Sequence, residues 1–321
     1  PWASDFHSPN FDPTQDLMSP TAMRVGVLGS VNEDSVVQAD GSVSGDLGGV
    51  LFTAGALAIL GQDQQIEPWL LTRIGSPQME KVQTRMSAFP TLQLGVVETC
   101  DGAGYRCQIE YDADGAKQER LLGDVPPLTI RDVAYHLRGL HALVVNFITG
   151  YELELATLQA IRRVLKGQIV MDLHSLTLAR DTEGRRSQRA LPRWRAWVGC
   201  ADVLQMNEQE AASLGARGGL EGAVEFARTL LSFGPMAVVV TLSTRGAVGA
   251  WRDPAGFVRS HHQPALEAGD GVVDTTGCGD VFLAGLSADL MKGGSLPSAL
   301  KLAASAAARK CARPGLAGLE C

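Results

Sequence analysis

The feature that most restricts the fold of this chain is an alternation: short apolar runs, each too short for a helix, take turns with longer segments of helical periodicity. Runs of the first kind occur at Arg24 to Leu28, Pro68 to Ile74, His141 to Phe147, Gln168 to Leu173, Asp202 to Met206 and Met236 to Leu242. Between the later ones lie Glu152 to Lys166, Glu208 to Leu214 and Leu220 to Phe233, whose apolar positions recur at helical spacing. Another helical pattern, Leu51 to Leu60, follows Gly48 and Gly49 and is closed by Gly61. Apolar runs of this kind are strands buried on both faces, and helices between them cover a mostly parallel sheet. The predicted fold class is therefore α/β, a three-layer sandwich around that sheet.

One segment departs from the alternation. From Leu92 to Leu122 the pattern has period 2, with Tyr105, Cys107, Ile109 and Tyr111 on one face and Asp112-Ala113-Asp114-Gly115 as a turn into Lys117 to Leu122. This predicts an antiparallel β-hairpin projecting from the core. Ligands of such sheets bind beyond the carboxyl ends of the strands, so a hairpin inserted there acts as a lid. The expected organisation is an irregular leader over 1–22 and one domain over 23–321, with lid segments at 35–47 and 92–123.

Charge and composition narrow the function classes. Across 321 residues, 35 acidic side chains outnumber 28 basic ones, which argues against a broad nucleic-acid surface, since that affinity rests on Lys and Arg neutralising phosphates. A local run of Arg180, Arg185, Arg186, Arg189, Arg193 and Arg195 around Trp194 and Trp197 reads as a solvated helix and loop face with its tryptophans packed inward. The longest apolar stretches, such as Ala54 to Leu60 and Met236 to Val240, fall short of the ~18–20 residues that span a bilayer. Pro1 to Thr21 lacks the basic start and apolar core of a secretory signal. The 6 cysteines include no C-x-x-C pair and no His at zinc-ligand spacing, so a reduced, cytoplasmic compartment is expected.

The segment that carries chemistry is Asp274-Thr275-Thr276-Gly277-Cys278-Gly279-Asp280, running into Val281-Phe282-Leu283-Ala284-Gly285. Gly-Cys-Gly lets the backbone turn tightly at a helix start, so that unpaired N–H groups and the positive end of the helix dipole aim at one point. A carboxylate in the first turn, Asp280, is placed to take a proton from a hydroxyl attacking a phosphoryl group held there. The same loop would stabilise charge developing on the phosphoryl oxygens.

These residues resemble the signature D-T-x-G-x-G-D-x-F-x-A-G of the ribokinase-like, or PfkB-type, family of sugar and nucleoside kinases, through Asp274, Thr275, Gly277, Gly279, Asp280, Phe282, Ala284 and Gly285. The resemblance implies a ribokinase-like sandwich that phosphorylates a hydroxyl, a primary alcohol, of a sugar or nucleoside with ATP and Mg²⁺. It further implies Asp280 as general base and the N–H groups of Gly277, Cys278 and Gly279 as anion hole. Asn207 and Glu210 resemble the family's N-x-x-E element near Mg²⁺, held through water; by themselves they also read as a helix N-cap with a reach-back acid. Asn32 and Asp34 resemble sugar-hydroxyl ligands, although a strand-end turn uses the same residue types, and Gly48 and Gly49 resemble the start of the substrate-side signature. Thr241, Ser243 and Gly246 resemble the strand and turn beneath the nucleotide, with Asn207 near its phosphates. Asp274 and the carbonyl of Thr276 match a K⁺ position of some relatives, and N-capping by Asp274 is an equal reading. Lids in the family often mediate a homodimer.

The sequence also departs from the family. Thr53 or Phe52 occupies a slot where relatives have Asn, Ser243 replaces a usual Gly, and Cys278 stands where a small Ala is common. Cys278 reads either as a small buried apolar residue or as a thiol made acidic by the helix terminus. Thr72 to Pro77 lacks the Gly-Asp-Asp-type turn. The basic residue often found after the Asp172 strand is missing, and His174 or an arginine of the 180–195 run is the candidate substitute. A binding protein that keeps the fold without turnover is the rival reading.

Overall fold

The structure, a computed structural model, describes residues 22–37, 41–64, 66–111, 117–269 and 271–319. The leader, apart from Ala22, and the turn Asp112 to Gly115 lie outside the described residues. In chain order the elements are β1 (Met23–Gly29), β2 (Val31–Val37), β3 (Val43–Gly49), α1 (Val50–Leu60), β4 (Ile66–Gly75), α2 (Met79–Met86), β5 (Gln93–Cys100), β6 (Tyr105–Tyr111) and β7 (Lys117–Leu122). There follow α3 (Ile130–Leu137), β8 (Ala142–Asn146), α4 (Leu155–Val164), β9 (Gln168–Asp172), β10 (Leu178–Arg180), β11 (Arg186–Gln188), α5 (Trp194–Val198), β12 (Val203–Asn207) and α6 (Glu208–Ser213). The last are α7 (Gly219–Leu230), β13 (Ala237–Thr241), β14 (Ala247–Arg252), β15 (Val258–Gln263), α8 (Cys278–Met291) and α9 (Leu296–Cys311).

Nine strands form the central sheet in the order β15-β14-β13-β12-β9-β8-β1-β4-β5. From β13 to β5 every pairing is parallel, and β14 and β15 add an antiparallel edge. Successive side chains point to opposite faces, so each apolar run feeds two cores. Val144 and Val239 pack with α1, α8 and α9 on one side; Val145, Val238 and Val240 pack with α4 and α7 on the other. Helix α1 is buried from Val50 to Ala58 and α8 on nearly every turn, which is why neither shows a polar face in the sequence.

The four-stranded lid sheet has the order β3-β2-β6-β7, with β2 parallel to β6 and the outer pairs antiparallel. Tyr105, Leu121 and Val125 make a small core beneath it. The lid expected over 92–123 requires correction, because Gln93–Cys100 pairs with β4 as the edge strand of the central sheet. A half-buried edge strand alternates just as a hairpin arm does, so period alone does not separate them. The arginine run forms the β10–β11 ribbon and α5, with Trp197 edge-on to Phe147 at 5.5 Å and Trp194 edge-on to Phe233 at 5.2 Å. No described helix is long and apolar enough to cross a membrane.

Candidate active site

The glycine loop opens α8 as its sequence requires. Gly277, the residue before the helix, is left-handed (φ 78°, ψ −1°), and a Cβ there would lie 2.6 Å from the Phe52 ring. Any side chain would therefore be strained and would also collide. The N–H of Cys278 is bonded to the Thr275 carbonyl at 3.2 Å, closing the turn, whereas those of Gly277 and Gly279 have no partner among the described residues. The expected three-donor anion hole thus reduces to two free donors plus the helix dipole.

Asp280 lies one step further along, buried at 7% exposure. Asn146, at the carboxyl end of β8, donates from Nδ2 to Asp280 Oδ1 at 2.6 Å and to Thr53 Oγ1 at 2.9 Å. Adjacent helical positions point about 100° apart, and this resolves the slot left open in the sequence: Phe52 supports Gly277 while Thr53 faces Asn146. Burial pushes the Asp280 carboxyl above its ordinary range, against the pull of His174 and the Asn146 hydrogen bond.

Two more carboxyls converge on this position. Asp172, at the end of β9, accepts from Gln205 Nε2 at 2.7 Å and from the His174 N–H at 3.3 Å; Gln205 also reaches the Gly279 carbonyl at 3.2 Å. Burial pushes Asp172 up to about 6, with Asp280 adding repulsion. Glu210 is pushed up to about 8 by burial and by Asp172. Burial disfavours a charged His174, but the carboxyls of Asp280, Asp172, Glu210 and Glu119 outweigh it and raise its pKa. His174, the candidate basic substitute, therefore belongs to the acid cluster. Arg180, the first arginine of the 180–195 run that was the other candidate, donates to the Gly123 carbonyl at 2.5 Å and lies over the Tyr151 ring, at the base of the lid.

Asn207 and Glu210 form a reciprocal cap: Glu210 N–H donates to Asn207 Oδ1 at 2.9 Å and Asn207 N–H to Glu210 Oε2 at 2.8 Å. No set of three or more His, Cys, Asp or Glu among the described residues builds a metal cage. The hard oxygens of Asp172, Asn207 and Glu210, in a cluster whose acids resist ionising together, suit a hydrated divalent cation carried in on phosphates.

In the segment expected beneath a nucleotide, Thr241 ends β13, and the following turn carries Ser243 at φ 53°. That left-handed backbone explains why glycine is usual there. Gly246 has φ 89°, and a Cβ would lie 2.0 Å from the Gln263 carbonyl. On the lid side, Asn32 is buried, and its Oδ1 has no partner among the described residues. Asn32 pairs with Gly48 across β2 and β3, and a Cβ on Gly48 would lie 1.9 Å from Asp34 Oδ2. Gly49 packs on the Ser30 carbonyl, so Asn32, Asp34, Gly48 and Gly49 meet at the root of the lid. A cleft of roughly 790 Å³ is lined by Asp34 with Glu33, Asp46, Lys81 and Arg85. Both of its cations are paired, Lys81 with Glu33 and Arg85 with Asp46, and Asp280 does not line it.

Asp274 is not the helix cap, since Gly277 takes that place without a side-chain bond. Its Oδ1 accepts the Thr276 N–H at 2.9 Å, and its Oδ2 accepts the Gly315 N–H at 3.0 Å and Lys310 Nζ at 3.2 Å. Cys278 Sγ donates to the Asp274 carbonyl at 3.7 Å, and the neighbouring Cys311 thiol, then burial, pushes its pKa up, which favours the small buried apolar reading. Asn146, Gln205 and Lys310 escaped notice in the sequence. For the first two the signal was a polar residue inside or ending an apolar strand run.

The fold is that of solved ribokinase-like kinases. The Arabidopsis thaliana ribokinase complexed with ribose and ATP superposes with a TM-score of 0.72 at 19% identity, over 92% of this chain and 94% of that one. A pyrophosphate-dependent kinase of the ribokinase family, complexed with a pyrophosphate analog and myo-inositol, gives 0.73 at 19% identity over 91% and 96%. A Methanocaldococcus jannaschii nucleoside kinase gives 0.67 at 15% identity over 92% and 94%. In sequence, the pfkB family carbohydrate kinase model matches residues 157–320, just over half the chain. This chain belongs to the pfkB family of carbohydrate kinases.

Proposed function

We propose that the chain transfers the γ-phosphoryl group of ATP to a hydroxyl, a primary alcohol, of a sugar or nucleoside. The observation that carries this reading is the buried Asp280 on the first turn of α8, held by Asn146 beside the free N–H groups of Gly277 and Gly279. Asp280 takes the proton of the acceptor hydroxyl, and the two N–H groups with the α8 dipole hold the phosphoryl oxygens as their charge redistributes. Mg²⁺, when bound with the nucleotide, neutralises phosphate charge, and Asp172, Asn207 and Glu210 offer the oxygens that would hold its waters. Thr241, Ser243 and Gly246 form the nucleotide floor.

Asn32, Asp34, Gly48 and Gly49 form the acceptor side, closed over by the lid, which keeps water from competing as acceptor. The buried Oδ1 atoms of Asn32 and Asn146 have no hydrogen-bond partner among the described residues. Buried acceptors seek donors, so a polyhydroxylated ligand supports the sugar reading. Pairing through the lid sheet would give a homodimer, checked by light scattering.

The test is ADP or phosphate release over a panel of sugars and nucleosides, with ATP and pyrophosphate as donors and Asp280→Asn as control. Turnover that Asp280→Asn lowers roughly 10²–10⁴-fold is expected. Ligand binding without turnover on any acceptor, with either donor, would sink the kinase reading in favour of a binding protein.

A further inference from the structure

The position expected for a monovalent cation does not fit one, because the protein's own cation stands there. Lys310 projects from the last turn of α9, its side chain fully buried, with Nζ 3.2 Å from Asp274 Oδ2 and 3.1 Å from the Arg313 carbonyl. A lysine is almost never buried unless paired, and this one is paired with the acid that begins the phosphate-facing loop. Asp274 also accepts the Thr276 N–H on Oδ1 and the Gly315 N–H on Oδ2, beside Lys310. The backbone is sewn at the same place, with the Val273 and Asp274 N–H groups donating to the Cys311 carbonyl at 2.7 and 3.1 Å. The ammonium also lies 5.4 Å from the centre of the Phe52 ring, the ring on which Gly277 rests. One positive charge thus touches the acid, the post-α9 turn and the support of the anion hole.

We propose that Lys310 is a tethered replacement for the monovalent cation: its ammonium fixes the Asp274–Gly279 loop, and the protein needs no K⁺ to hold that loop in its phosphate-binding form. A free K⁺ at the same carboxylate would face a like charge that cannot leave. Lys310 is a positioning residue, acting through Asp274 and the loop. The catalytic half of this inference rests on the kinase reading above, and the structural half does not.

The full-length protein is melted in KCl and in tetramethylammonium chloride at equal ionic strength, and phosphoryl transfer is measured in both salts. Wild type is expected to melt within 1–2 °C and turn over within about twofold in the two salts. Lys310→Met is expected to melt lower and lose at least about tenfold in turnover in tetramethylammonium, and KCl is expected to restore part of both. Lys310→Arg keeps the charge and is expected to stay indifferent to K⁺. Wild-type protein stabilised or activated fivefold or more by K⁺ overturns the inference, whatever the variants do. A folded Lys310→Met that K⁺ does not help overturns it as well. If no acceptor is phosphorylated but the melting results hold, the kinase reading fails and the tethered cation stands.

Discussion

Asn146 and Asp280 stand 134 positions apart in the chain, yet the amide of one meets the carboxylate of the other at 2.6 Å. The same Nδ2 donates to Thr53, so a single amide ties β8, α1 and α8 together at the proposed base. Removing it leaves a buried carboxylate short of a donor, which costs on the order of 1–3 kcal/mol. Asn146→Ala is expected to lower kcat roughly ten- to a hundredfold. Because the lost hydrogen bond favoured the ionised form, the acid limb of the kcat profile is expected to move to higher pH. A variant with an unchanged profile would show that the bond has no bearing on proton transfer.

The acid cluster predicts how stability depends on pH. A carboxyl whose folded pKa lies above its unfolded value contributes stability fully present below the unfolded value and lost as pH rises through the folded one. For Glu210 that window runs from 4.5 to about 8, and for Asp172 from 3.8 to about 6. His174, also raised, acts in the same direction. The ligand-free protein is therefore expected to melt at progressively lower temperature from pH 5 to pH 8.5, and Glu210→Gln is expected to flatten that slope. Calorimetry at half-unit pH steps reads both.

Ser243 offers a test of backbone strain. At φ 53° it sits in a region that costs non-glycine residues roughly 1 kcal/mol. Ser243→Gly exchanges that strain for added unfolded-state entropy and is expected to change stability by less than about 1 kcal/mol. Ser243→Val, β-branched in the same conformation, is expected to lose about 1–2 kcal/mol. Urea titration distinguishes them, and equal stability of the two variants would contradict the strain.

The two thiols near the loop should differ in reactivity. Its hydrogen bond with Cys278 pulls Cys311 down to about 7, against burial and with help from Lys310. The same bond and burial push Cys278 up. Since the thiolate is the nucleophile, iodoacetamide at pH 7.5 is expected to label Cys311 several times faster than Cys278, as read by peptide mass spectrometry. Faster labelling of Cys278 would reverse the assignment.

The core was legible because strands buried on both faces are contiguous apolar words, such as Ala237–Thr241. The edge strand Gln93–Cys100 was not, since half-burial looks the same in a lid and in a sheet edge. Within the site, Gly277, Gly279 and Asp280 were legible because one turn of chain holds them. Asn146, Asp172, Gln205 and Lys310 come from separate elements, and the parallel register of β8, β9 and β12 brings the first three together. Only their polarity against an apolar strand marked them. Lys310 carried no mark at all, because its burial depends on how α9 returns against the loop before α8.

Asp172, Glu210 and Asp280, three buried acids that resist ionising beside one another, couple whatever happens at this site to protons. On the reading proposed above, a cation-bearing ligand entering there would draw protons off the carboxyls. Binding then becomes an acid-releasing reaction, and its heat must vary with the ionisation enthalpy of whatever buffer receives those protons. Affinity at this site is set jointly by the ligand and by the proton activity of the solution, with tighter binding at higher pH until the cluster is fully ionised.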